Sequence, residues 1–173
     1  MRAPLNRTLT LSDAEFEHYT AELRQLESPA AKAEVYDRVF CQDVFEVLPK
    51  LPDRSVDLMF ADPPYNLTKS FNDTTFRETS LDEYAEWLDS WLAQTVRILK
   101  PNASVYICGD WRSSAAIHRV GEKYFLAQNR ITWEREKGRG AKANWKNCSE
   151  DIWFFTVGED YYFNVEAVMS SGR

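Results

Sequence analysis

Residues 56–61 (VDLMFA), followed at once by Asp62-Pro63-Pro64, constrain this chain more than any other stretch. The run has strand length and an apolar character that suits a buried strand of a parallel sheet. It must stop where it does, because a residue before proline avoids the helical region of backbone space. Such a strand reaches a parallel neighbour through a crossover, usually a helix. The sequence around it supplies the crossovers. Residues 11–27 read as a helix, capped by Ser12 with Glu15 three residues on, and with Phe16, Tyr19, Leu23 and Leu26 at helical spacing. Residues 35–41 read as a short strand, and 43–51 as a short helix capped by Asp43 and broken by Pro52. A long helix follows Ser80, with Glu83 completing a capping box and Tyr84, Leu88, Trp91, Leu92, Thr95 and Leu99 on one face. Then come a strand at 103–108, a helix at 111–123, strands at 125–133 and 152–157, and a short terminal strand at 161–164. The alternation predicts an α/β fold with a mostly parallel sheet and helices on both faces. Residues 66–79 and 134–147 lack a core pattern and read as loops.

Length and composition agree with one soluble domain. The 173 residues are 44% hydrophobic and 28% charged, which excludes a disordered chain. No apolar run is long enough for a membrane helix, and residues 1–12 lack the apolar core of a secretory signal. Cys41, Cys108 and Cys148 are odd in number and widely spaced, so neither a metal site nor a disulfide framework is expected, and a reducing cytoplasm is. His18 and His118 stand alone and read as surface or satisfied core residues. Trp87, Trp91, Trp133, Trp153 and Phe154 read as core.

The net charge of −6 argues against a surface coated for nucleic acid. The charge is uneven, however. Residues 134–147 hold five basic groups (Arg135, Lys137, Arg139, Lys142 and Lys146) against two acidic ones. They form either a solvated loop or a phosphate-contacting one.

The chemistry concentrates at Asp62-Pro63-Pro64-Tyr65. In open α/β sheets, ligands bind at the carboxyl ends of the strands. Asp62 offers an acceptor to an amino group. The prolines stiffen the turn and lack N–H groups, so the Pro63 carbonyl can point into a site. Tyr65 supplies a flat face on which a base can stack. Together they suit an exocyclic amine held by acceptors while its nitrogen attacks a methyl donor. The alternative is a proline-stiffened turn in which Asp62 is only a cap.

With these residues in place, the sequence resembles the S-adenosylmethionine-dependent amino-methyltransferases of DNA, which carry Asp-Pro-Pro-Tyr and act on adenine-N6 or, less often, cytosine-N4. The resemblance runs through roughly residues 35–168. It includes the lead-in at 41–48 and 51–58, where Gln42 replaces a usual glycine, the stretch 91–106, and the later strands at 131–133 and 150–156. It implies a Rossmann-like methyltransferase fold. No Phe-x-Gly-x-Gly segment, which binds the cofactor in this family, precedes Asp62. That points to the family's β motif order, in which this segment and the target-recognition region follow the catalytic motif. On that reading, residues 1–30 are an N-terminal helical extension. Residues 31–173 are the catalytic-motif part of an incomplete fold.

The resemblance also implies roles. Asp62, Pro63, Pro64 and Tyr65 are catalytic. Asp62 also faces the cofactor, and Asp43 is either a plain helix cap or a contact to the cofactor's adenosine end, its strand being expected beside the catalytic one. Lys69 and Asn72 either touch DNA or belong to a solvent loop. Arg135, Lys137, Arg139, Lys142 and Lys146 are phosphate contacts. The cofactor is S-adenosylmethionine, no metal is required, and the partner is double-stranded DNA rather than a membrane. A homodimer, or a missing C-terminal part of the same protein, is the further partner. The function implied is adenine-N6 methylation of a flipped-out base. Cytosine-N4 methylation and a non-catalytic fragment or split subunit are the alternatives. Amide methylation is disfavoured by Asp62, since Asn usually opens that tetrad.

Overall fold

The computed structural model describes residues 10–71, 74–139 and 145–171. The chain divides into two compact units, Met1–Pro52 and Asp53–Arg173.

In the first unit, helix α1 (Asp13–Glu22) starts at the expected capping box, with Ser12 and Glu15 satisfying each other's backbone N–H groups. It ends earlier than its apolar spacing suggests and buries none of its residues. The strand expected at 35–41 does not form. Helix α2 (Lys32–Val35) occupies its start, and Asp37 then takes a left-handed backbone conformation (φ 55°) that no strand tolerates. An isolated bridge between Arg24 and Phe40 is what remains of it among the described residues. Asp43 caps helix α3 (Val44–Val47), and a 3₁₀ turn at Leu48–Lys50 continues it. Gln42 brackets the backbone of Leu26, accepting from its N–H at 2.9 Å and donating to its carbonyl at 3.1 Å. The residue that departs from the family pattern thus pins two segments of this unit together.

The second unit begins with strand β1 (Val56–Ala61), as expected. A two-stranded antiparallel hairpin, β2 (Lys69–Phe71) and β3 (Thr74–Phe76), stands where a loop was expected. Its polar, threonine-rich composition carries no burial pattern but suits exposed strands. Helix α4 (Leu81–Thr95) has the expected Ser80–Glu83 capping box and buries Tyr84, Leu88, Trp91 and Leu92. Strand β4 (Leu99–Gly109), helix α5 (Ser114–Gly121), strands β5 (Leu126–Arg139) and β6 (Asn147–Thr156), and helix α6 (Val165–Ser171) follow. The basic stretch 134–147 is therefore in large part strand rather than loop. No strand forms at 161–164. Instead, Asn164 accepts from the N–H of Ala167 at the start of α6.

The main sheet has the order β1-β4-β6-β5. β1 pairs parallel with β4, while β6 is antiparallel to both β4 and β5. Three of the four strands thus run the same way, and only β6 is reversed. Its short connection from β5 leaves no room for a crossover. One face of the sheet (Met59, Ala61, Val105, Ile107 and Phe155) packs against α4 and α5. The other carries an aromatic row in which Phe60 stacks on Tyr106, and Tyr106 on Phe154 at 4.7 Å between ring centroids. Tyr161 and Phe163 cover Phe154. The strand expected to be buried at 56–61 proves to be an edge of the described sheet, with Leu58 56% and Phe60 59% exposed.

Candidate active site

β1, β4 and β5 end on the same side of the sheet, and the reversed β6 starts there. Four segments therefore meet at one edge: Asp62–Tyr65 after β1, Asp110 after β4, Trp133 to Arg135 on β5, and Glu150 on β6. This is the carboxyl-end crevice where open α/β sheets bind ligands.

The tetrad is held from below by buried hydroxyls. Tyr84 of α4 donates its phenol to the Pro64 carbonyl at 3.0 Å. The Asn66 N–H donates to Ser113 Oγ at 3.2 Å, and the Ser113 N–H in turn donates to the Asp110 carboxylate at 2.9 Å. The buried Asn66 side chain pairs with the backbone of Thr79 in both directions, at 2.9 Å each. These bonds fix the backbone on either side of Tyr65. Its phenol is fixed separately and donates to Glu150 Oε2 at 3.2 Å. The other oxygen of Glu150 forms an ion pair with Arg135.

Asp62 is exposed and lies beside the Tyr65 phenol, and no described residue donates to the half-buried Pro63 carbonyl. The tetrad's other carbonyl, that of Pro64, is taken by Tyr84. Burial, with the Asp62 carboxylate beside it, pushes the Tyr65 phenol well above its ordinary value. The same two causes push the Cys108 thiol up. Both groups stay neutral near neutral pH, so neither adds a charge beside the Asp62 carboxylate. A negative potential of this kind favours a cationic ligand group. Beside Asn66 opens a cleft of about 330 Å³, lined also by Thr79, Trp111 and Arg112, with Arg112 lying 5.3 Å from the centre of the Trp111 ring.

The structure brings together Asp62, Pro63, Pro64, Tyr65 and Arg135. Asp43 serves as the cap of α3, its carboxylate accepting from the Phe45 N–H at 2.8 Å. The strand that was to carry it beside β1 is absent. Lys69 lies exposed on β2, and Lys146 is exposed just before β6. Lys137 and Arg139 fall on β5, while Asn72 and Lys142 lie outside the described residues. Trp133 is 59% exposed and is not core, whereas Trp91 and Phe154 are buried. His118 stacks on Trp153 at 4.3 Å, and His18 is exposed beside Glu22. Among the described residues no cluster of His, Cys, Asp or Glu could hold a metal, and no helix is long and apolar enough to cross a membrane. Sequence reasoning missed Tyr84, Ser113 and Glu150. Tyr84 had a signal in its polar tip on a buried helix face, since buried tyrosine hydroxyls usually find a partner.

Comparison with known proteins decides the family. The DNA methylase family (N6_N4_Mtase) matches residues 56–171. The chain belongs to this family. It is 33% identical over 133 residues to the DNA adenine methyltransferase YhdJ of Escherichia coli, covering 76% of this chain and 45% of that protein. It is 30% identical over 136 residues to the type II methyltransferase M.HpaI of Haemophilus parainfluenzae, covering 76% and 42%. The chain spans less than half the length of either relative. Its fold is that of the cytosine-N4-specific PvuII DNA methyltransferase, with a TM-score of 0.60 at 19% identity over 78% of this chain and 54% of that one. TTHA0409 of Thermus thermophilus, solved in complex with S-adenosyl-L-methionine, gives a TM-score of 0.53 at 19% identity over 76% and 57%. The expected Rossmann-like α/β class therefore stands.

Proposed function

We propose that this protein transfers a methyl group from S-adenosylmethionine to the N6 amine of adenine in double-stranded DNA. The observation that carries the reading is the Asp62-Pro63-Pro64-Tyr65 turn at the carboxyl end of β1. It places one exposed carboxylate and one carbonyl without a described donor beside a fixed aromatic ring. The adenine named in the YhdJ relative supports the choice of base. Residues 31–173 then form the catalytic-motif part, with 1–30 as its extension, working in a reducing cytoplasm that keeps Cys41, Cys108 and Cys148 free.

The site suits the cofactor electrostatically, since a sulfonium is cationic and Asp62 supplies an exposed carboxylate. Asp62 is the residue of this site that would hold it. When bound, S-adenosylmethionine supplies an activated methyl group. The remaining work belongs to the chain. The target amine is paired within a duplex, so the base must leave the stack. Tyr65 stacks on the extruded ring. Asp62 and the Pro63 carbonyl accept the two amine hydrogens and aim the nitrogen lone pair along the line of transfer. On methylation the nitrogen would give up one proton, which the exposed Asp62 carboxylate can accept and pass to solvent. Positioning of this kind is the main source of rate.

The test is methyl transfer to duplex DNA by protein expressed from its full open reading frame, with the product nucleosides identified by mass spectrometry. N6-methyladenine is expected, and Asp62→Ala and Tyr65→Ala should each lower kcat by about 100-fold or more. N4-methylcytosine would move the substrate assignment to cytosine. Full activity in both variants would remove the tetrad from the chemistry.

A further inference from the structure

We infer that Glu150 is a positioning residue for Tyr65, and that Arg135 holds Glu150 in place for that task. This rests on the reading above, in which the Tyr65 ring stacks on the target base. The backbone of the tetrad is already fixed by Tyr84 on one side of Tyr65 and by Ser113 on the other. Those bonds set where the ring begins and leave its swing about the Cα–Cβ bond open. A phenol hydrogen-bonded to a fixed carboxylate limits that swing, because the oxygen is the side-chain atom it displaces furthest.

Glu150 is built to be that fixed point. It sits on β6 directly opposite Trp133 of β5. Arg135, two residues along β5, is therefore its diagonal neighbour on the same face, a pairing within reach of long side chains. The two carboxylate oxygens are divided between two partners, with Arg135 on Oε1 and the Tyr65 phenol on Oε2. The ion pair is largely screened from solvent, with side-chain exposures of 17% for Glu150 and 28% for Arg135. A guanidinium clamped on one oxygen holds the plane of the carboxylate and leaves the other oxygen aimed at Tyr65. Arg135 is thus committed within the protein, and its role differs from that of the other cations of the basic stretch. The chain Arg135–Glu150–Tyr65 ties the β5–β6 hairpin to the stacking residue across 85 positions of sequence.

A double-mutant cycle tests this with Glu150→Gln and Tyr65→Phe, the latter keeping the ring and removing only the hydroxyl. Each single variant should lower kcat by about 10-fold to 100-fold while leaving the KM for S-adenosylmethionine unchanged. The double variant should lose no more than the worse single one, because Glu150→Gln removes the charge and the Arg135 anchor of the same contact whose hydroxyl Tyr65→Phe removes. Arg135→Gln should follow Glu150→Gln, and Arg130→Gln, on the neighbouring Asp151 pair, should leave turnover at the wild-type level. Multiplicative losses in the double variant would overturn the inference. A second readout needs no turnover. In protein labelled with ¹³C-tyrosine, the resonance lost in Tyr65→Phe is that of Tyr65, and it should shift in Glu150→Gln. An unshifted resonance would overturn the inference by itself. A wild-type protein that transfers no methyl group would instead overturn the function proposed above, and the resonance would still decide the contact.

Discussion

At the residue scale, the site depends on hydroxyls that reach the tetrad from elements far away in sequence. Tyr84 shows how. Its ring belongs to the buried face of α4, in the cluster with Leu88 and Ile107. Its oxygen passes through that cluster to the Pro64 carbonyl. Burial pushes its phenol well above the ordinary value, so it remains a donor near neutral pH. Removing the oxygen leaves the Pro64 carbonyl without this donor while the ring still fills its space. Tyr84→Phe should therefore destabilise the protein by about 1 kcal/mol in urea unfolding. It should also lower kcat with little change in the Kd for DNA, since it loosens the turn rather than a DNA contact. A loss confined to DNA affinity would show that Tyr84 is remote from the chemistry. The tetrad itself was legible in the sequence, because all four residues are adjacent and each has its own chemistry. Tyr84, Ser113 and Glu150 were not legible, because their parts arise only from strand register and helix packing.

At the element scale, local rules worked where the chain obeys local forces. The Ser80–Glu83 capping box marked the start of α4, and Asp62 before two prolines marked the end of β1. The rules failed at 35–41, where Asp37 turns left-handed in the middle of a plausible strand pattern. They failed again at β2–β3 and along the outer parts of β5 and β6, where the strands carry polar residues and the sequence shows no apolar alternation. The capping box carries a pH signature. The Ser80 N–H and hydroxyl donate to the Glu83 carboxylate and hold its pKa below the usual 4.5. A lowered pKa means that the folded state prefers the ionised form. Its stabilising share is complete above about 4.5 and is lost as pH falls through the lower folded value. Glu83→Gln should therefore reduce the acid sensitivity of thermal unfolding below that point while also lowering Tm at neutral pH. Because Tyr84 is the next residue, the same variant should weaken the support of Pro64. If the acid limb of Tm against pH is unchanged in Glu83→Gln, the contact carries no pH dependence. Glu15 and Asp89, whose values are lowered in the same direction, should keep part of that limb in either case.

At the scale of the whole molecule, a chain of net charge −6 is proposed to hold a polyanion. Long-range attraction cannot come from the total charge, so it must come from where the cations sit. Lys137, Arg139, Lys142 and Lys146 lie together in the sequence between the outer part of β5 and the start of β6. That hairpin starts from the sheet edge that carries Tyr65, and on the function proposed above its cations would be the phosphate contacts for a duplex presenting a base to the tetrad. Arg135 belongs to the same stretch but is spoken for by Glu150. On the function proposed above, the basic stretch divides between Arg135, which pairs with Glu150, and the cations left to meet phosphates. Each phosphate neutralised contributes a slope of about −0.9 to the dependence of log affinity on log salt. Neutralising these four residues together, each to glutamine, should flatten that slope by about 3 to 4 and weaken DNA binding at low salt most of all. Arg135→Gln should leave the slope near the wild-type value and lower turnover instead. Binding titrations on one duplex at several salt concentrations separate the two effects. An unchanged slope in the fourfold variant would return the stretch to a solvated role, and a slope lost with Arg135 alone would make that residue the phosphate contact.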